Sequence, residues 1–191
     1  MGTRRPAKLH FTSDQEANAL IATDPFALLV GFAIDQQVPV TTAFVGPLKL
    51  KERLGTIDPK KIAKTDPGKL EEIFKAPPAI HRFPSSMSTR VHELAAVVAE
   101  DYGGDASRVW DEAEDSADLK KRLAALPGFG DMKIRQLSSV LAKRYGVAAA
   151  RELAPNHPSL GDVDSADALA SYQAQKRAYK AAMRANQPLE D

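Results

Sequence analysis

The chain has 191 residues, is 43% hydrophobic and 27% charged, and carries a formal net charge of +1. That is enough apolar material for one core, or for two small lobes sharing one, but too little net charge for a basic coat on nucleic acid, so any such binding must come from a local patch or from backbone amides. The absence of cysteine excludes disulfides, Cys-ligated zinc and a Cys-ligated iron–sulfur cluster, and the four histidines form no HExxH or His-x-His pattern.

The opening, MGTRRPAKLHFTSDQEA, is basic without an apolar run behind it and does not read as a signal segment. SDQEANALIATD predicts a helix capped by Ser13, with Glu16 three residues on completing a capping box. DPFALLVGFAIDQQ predicts a helix with Pro25 in its first turn and apolar residues on almost every face, hence a buried central helix. Its apolar stretch is too short to span a bilayer, so a soluble, cytoplasmic monomer is expected. VTTAFVGPLKLKERLG predicts two short helices separated by a break at Pro47. DPKKIAKTDPGKLEEIFKAPPAIHRFP predicts short helical turns punctuated by Asp-Pro and Pro-Pro. Within it, His81, Arg82 and Phe83 fall on a Pro-bounded loop, read as anchored by Phe83, with a wedge into DNA as the alternative.

SMSTRVHELAAVVAEDYGGD predicts an amphipathic helix with Val91, Leu94, Ala95 and Val98 on one face and a stop at Gly103-Gly104. Tyr102 and Trp110 read as core. SADLKKRLAAL predicts a helix capped by Ser116, and DMKIRQLSSVLAKRYG one with Ile134, Leu137, Ser138 and Leu141 on one face and a stop at Gly146. VAAARELAPNHPSLGDVDS predicts a short helix and an irregular loop, and SADALASYQAQKRAYKAAMRA a last long helix, basic toward its end. That basic end reads as a solvated face, with a phosphate contact as the alternative.

Between two of these helices stands LPGFGDMKIRQ, with Leu126, Pro127, Gly128, Phe129 and Gly130 in the connection. Two glycines let the backbone turn tightly and approach another surface. Phe129 can bury its ring beneath the turn, and the next helix begins with free amides facing outward, the arrangement that binds phosphate. Such amides position a protein on DNA without reading bases. Asp131 suits the helix dipole but not a phosphate, so Lys133 and Arg135 are expected to point toward the backbone and compensate. The competing reading is a plain helical corner with a glycine cap.

This hairpin, together with MSTRVHELAAVVAEDYGG and FAIDQQVPVTTAF upstream, resembles the helix-hairpin-helix/Gly-Pro-Asp superfamily of base-excision DNA glycosylases, and within it a small bacterial subgroup. The resemblance covers residues 26–146 well and the C-terminal part poorly. It implies an all-α, two-lobed fold with an interlobe cleft: residues 26–146 as one lobe, and 1–25 with 147–191 as the other. It implies DNA, damaged and double-stranded, as the partner, with the damaged base flipped into the cleft. It also implies a monovalent cation at the hairpin in some relatives, and no other cofactor.

By the same resemblance, Gln36 fills the hole left by the flipped base, with Gln37 beside it; the alternative is that both merely end a helix. The residue matching the nucleophilic lysine of the bifunctional members is Met132. Lys133 lies about 100° further round the helix and is expected to face elsewhere, which argues against β-lyase chemistry. The family's catalytic aspartate has no match at its usual distance; the nearest in character is Asp164, after a Val and before a predicted helix. Asp35, at the end of the apolar helix beside Gln36, is the other candidate, because burial there would raise its pKa. The expected function is that of a monofunctional glycosylase, the alternative a non-catalytic DNA-structure binder that kept the hairpin.

Overall fold

The computed structural model describes residues 5–185, so residues 1–4 and 186–191 of the expected second lobe lie outside the described residues. Among the described residues the protein is all-helical, with no strand. In chain order the helices are α1 (Gln15–Thr23), α2 (Pro25–Ile34), α3 (Val40–Leu54), α4 (Pro59–Ala63), α5 (Pro67–Lys75), α6 (Pro84–Asp101), α7 (Arg108–Asp111), α8 (Ser116–Ala124) and α9 (Asp131–Arg144). Two 3-10 turns follow, Ala148–Ala150 and Leu160–Asp162, and then α10 (Ala166–Ala185). No single described helix is long and apolar enough to cross a membrane.

Aspartates start most of the early helices. Asp24, Asp58 and Asp66 each accept an amide of the following turn and each precede a proline at the first helical position. The carboxylate satisfies an otherwise unpaired donor, and proline has no N–H to leave unpaired there. The same rule corrects two expected caps. Asp14, not Ser13, caps α1, because the Thr12 hydroxyl accepts the Asp14 amide at 2.7 Å and holds Asp14 at the helix entrance, from which it accepts from Ala17. Asp115, not Ser116, caps α8, and Ser116 becomes its first helical residue.

The break expected at Pro47 does not occur: α3 runs unbroken through it. An internal proline removes one helix hydrogen bond and costs about 3 kcal/mol, but Phe44, Gly46, Pro47, Leu48 and Leu50 are all buried. Phe44 stands edge-on to Phe11 and Phe32, with ring centroids 4.9 and 5.1 Å away. Burying side chains of this size is worth about 1.5–3 kcal/mol each, so packing outweighs the lost bond.

The core is one continuous cluster centred on α2. Every residue of α2 from Phe26 to Ile34 is buried, against α1, α3 and α6. α4 and α5 lie on α6, and the two 3-10 turns lie on α9. The segments outside 26–146 are therefore built directly onto that block: α1 on α2 and α3, the turns on α9. Tyr145, at the end of α9, joins them. Its ring stands edge-on to the buried Trp110, and its hydroxyl donates to the Ala22 carbonyl at 2.9 Å. Tyr102 is partly buried against the same core. α10 differs from the rest: Leu169 is its only fully buried residue, and Tyr172 is partly buried against the core.

The contact between α9 and the second 3-10 turn is tight enough to predict an effect. A Cβ on Gly161 would overlap the Ser139 backbone carbonyl, which cannot rotate away. Gly161→Ala is expected to lower unfolding free energy by about 1–3 kcal/mol, read from urea denaturation midpoints.

Candidate nucleic-acid interface

The hairpin joins α8 to α9. Leu126 and Phe129 are buried under the turn, and the Phe129 amide donates to the Leu126 carbonyl at 3.2 Å. Gly128 has φ +85°, a conformation that favours glycine, and the Arg90 side chain lies across the space where a Cβ would stand. Gly130 is different. It has φ −89° and caps α9 without a side-chain bond, and a Cβ there would meet nothing. The chain's own packing does not require glycine at 130. Its bareness leaves the first amides of α9 open to solvent. Met132 is 77% exposed, Arg135 is exposed, and Asp131 stands 3.7 Å from Lys120. A cleft of about 270 Å³ runs from this helix start past Arg135 to the segment Glu152–Asn156. A monovalent cation at the turn would have only backbone carbonyls to draw on. Those of Leu126 and Gly130 each accept one amide, of Phe129 and of Ile134, and a carbonyl keeps a second lone pair.

The second component is the end of α2. A helix leaves its last carbonyls unpaired and carries partial negative charge there. Two cations from different helices meet the Ala33 carbonyl: Lys133 of α9 donates to it at 2.8 Å and Arg90 of α6 at 3.2 Å. Lys133 therefore turns inward, and it is Met132 that faces solvent. Burial lowers the Lys133 ammonium, and the neighbouring Arg90 adds to this against the opposing pull of Asp35, to a pKa of about 8. Asp35 follows directly. It is partly buried, and burial pushes its carboxyl above the usual range against the pull of Lys176, Lys133 and Lys180.

Beyond Asp35 the chain makes a constrained turn. The Gln36 amide donates to the Ile34 carbonyl at 2.8 Å, and Gln37 has φ +56°, a region non-glycine residues seldom occupy. His81 fixes the turn from beneath. It is 1% exposed. Its Nδ1 accepts the Phe83 amide, so its Nε2–H donates to the Gln36 carbonyl at 3.0 Å. Burial, with Arg90 and Arg82 nearby, lowers its pKa and favours this neutral form. The Gln36 side-chain oxygen accepts from Arg90, leaving its amide group to donate outward. Both glutamines are exposed, and a strained residue of this kind needs its surroundings to hold it.

The loop residues differ from expectation. His81 and Ile80 anchor the loop, while Phe83 is 40% exposed with the Arg82 guanidinium 4.7 Å above its ring. Through His81, this exposed pair is tied to the Gln36 turn. α10 also comes near Asp35. Burial raises the Tyr172 phenol to about 12, and Asp35 adds to the shift; Lys176 sits 5.8 Å from the Tyr172 ring.

Asp35, Gln36, Gln37 and Lys133 are thus gathered at one helix end, beside the hairpin that carries Gly128. Asp164 has no such setting. It is exposed, and it is the next residue, Ser165, whose hydroxyl accepts the Ala168 amide at the start of α10. Arg90, His81 and Tyr172 were not read from sequence as site residues; their partners lie far away along the chain. Among the described residues no cluster of His, Cys, Asp or Glu is arranged to hold a metal ion. No protein-family model, curated protein or solved structure matches this chain.

The inward lysine has a pH signature. Its folded pKa, about 8, lies below the unfolded value of about 10.4. Between these two values the unfolded state binds more protons, so this residue makes stability rise with pH across that window. The difference in urea midpoint between the wild-type protein and Lys133→Gln is expected to shift in the wild type's favour from pH 8 to pH 10. A difference that stays flat would place the ammonium in water.

Proposed function

We propose that this protein binds DNA through its α8–α9 hairpin and acts as a DNA glycosylase of the helix-hairpin-helix/Gly-Pro-Asp kind, two-lobed, hydrolysing the N-glycosidic bond of a flipped-out damaged base. The observation that carries this reading is the gathering of Asp35, the Gln36–Gln37 turn and Lys133 at the end of α2, directly beside a hairpin whose first α9 amides are open. Those amides and the helix dipole suit a phosphate. The exposed Phe83 and the donor face of Gln36 suit the space that a flipped base leaves, since an aromatic ring can wedge a base step and an amide can pair with an orphaned base.

Asp35 is the carboxylate of choice over Asp164. Partly buried and flanked by cations, it can oppose the positive charge that develops on the sugar as the bond from C1′ to the base nitrogen breaks, and it can accept a proton from the water that adds to C1′. The departing base takes up a proton in exchange.

Lys133 favours a second reading. An amine whose pKa is near 8 is partly uncharged at neutral pH and can attack a carbonyl carbon. On the ring-opened sugar of an abasic site, Nζ would add to the C1′ aldehyde, water would leave, and an imine would form. Loss of a C2′ proton to water and of the 3′ phosphate, with a double bond forming between C2′ and C3′, would then cleave the strand.

The test uses duplexes carrying uracil, hypoxanthine, alkyladenine, 8-oxoguanine or a mismatch. Wild-type protein is expected to release one of these bases, and Asp35→Asn to lose at least about 10²-fold in rate while still binding an abasic duplex. Nicking only after alkali supports hydrolysis alone. A borohydride-trapped adduct that disappears in Lys133→Gln supports the amine. Binding without release of any base would leave a non-catalytic DNA binder.

A further inference from the structure

The C-terminal half of α10 is unlike the rest of the surface. Lys176, Arg177, Lys180 and Arg184 are all exposed, and the helix's one acid, Asp167, lies in its first turn. At 100° per residue the four cations fall within a sector of about 100°, a little over a quarter of the circumference. Lys176, Lys180 and Arg184 follow one another every four residues, about 6 Å apart along the axis. Among the described residues none of the four side chains forms a hydrogen bond or an ion pair, and Lys176 alone lies over a ring, that of Tyr172. A chain of net charge +1 has concentrated four positive charges on one strip of one helix.

The strip has a defined place. Leu169 and Tyr172 attach the start of α10 to the core. From there Lys176 and Lys180 come within electrostatic reach of Asp35. The lysine side of the strip thus lies near Asp35, at the end of α2. The exposed large apolar residues of this half are Tyr179 and Met183, 67% and 54% exposed. Two such residues are too few for an apolar face that inserts into a bilayer or forms a dimer core. Charge dominates, and the complementary surface is a row of regularly spaced anions.

We propose that the C-terminal half of α10 is a phosphate clamp that grips the nucleic-acid backbone beside the Asp35 site. This rests on the DNA-binding reading above and adds a second, chemically different contact. The hairpin holds phosphate through neutral amides, which displace few counterions. The α10 strip does so through full charges, each of which does. The salt dependence of binding therefore reports mainly on α10, with a slope of about 0.9 per duplex phosphate neutralised. Tyr179, beside the strip, offers a face on which an unpaired base can stack.

The experiment is fluorescence anisotropy of a labelled abasic duplex titrated with full-length protein at several salt concentrations. The combined variant Lys176→Gln, Arg177→Gln, Lys180→Gln, Arg184→Gln keeps good helix formers at exposed positions. It is expected to flatten the slope by about 3 and to weaken binding at least about tenfold at low salt. The pair Arg177→Gln, Arg184→Gln, which spares the two lysines near Asp35, is expected to flatten it by about half as much. If the wild type binds and both variants keep its slope and affinity, the clamp is overturned and the DNA reading stands. If the wild type binds no duplex, both fall. Loss of binding to phosphatidylserine vesicles in the variants, with an unchanged DNA slope, would assign the strip to a membrane surface and also overturn the clamp.

Discussion

The carbonyl of Ala33 is where the structure is tied together. α2 is buried from Phe26 to Ile34 because its sequence leaves no polar face to show to water. A buried helix still has to satisfy its C-terminal carbonyls, and each buried polar group left unpaired costs about 1–3 kcal/mol. Here the donors are Lys133 from α9 and Arg90 from α6. One acceptor therefore fixes the hairpin helix and the long amphipathic helix against the same point. Arg90 also passes over Gly128 and holds the Gln36 oxygen, so a single guanidinium connects the hairpin turn to the glutamine turn. A side chain at residue 128 would disturb both.

The electrostatics follow from that attachment. Drawing Lys133 into the protein lowers its pKa, and partial burial raises that of Asp35. Each opposes the other's shift. A carboxylate and an amine whose ionisations have been moved toward each other, beside an exposed turn, form the kind of pair that proton transfer and covalent chemistry use. Such a pair can also be purely structural, the counter-charges of a helix end. What favours chemistry is its company: a non-glycine residue at positive φ, an exposed aromatic ring on an anchored loop, and a helix start without a side-chain cap.

Much of this was legible in the chain. The unbroken apolar face of PFALLVGFAI shows that α2 is central, and Asp35 falls where burial would matter. The sequence LPGFG shows the turn and its buried Phe129. The inward turn of Lys133 differs from the expectation, and its signal lies in the spacing. Lys133 is one turn before Leu137, a core residue, so it lies at the edge of the buried face, whereas Met132 is one turn before the half-exposed Gln136. The unbroken α3 was hidden because proline's local cost is visible and the burial around Phe44 that outweighs it is not. The partnerships of Arg90 with Ala33 and of His81 with Gln36 join residues 57 and 45 positions apart. No local pattern carries such contacts; they appear only when α6 folds across α2.

The central claim is that the hairpin amides and the Gln36–Gln37 turn form one surface that meets DNA. Amide hydrogen exchange, followed by mass spectrometry with and without an abasic duplex, tests it most directly. The account predicts that peptides covering Gly130–Lys133 and Gln36–Val38 both become protected on binding, because the Ala33 attachment holds them side by side. Protection of neither, or of one without the other while the duplex is bound, would contradict it.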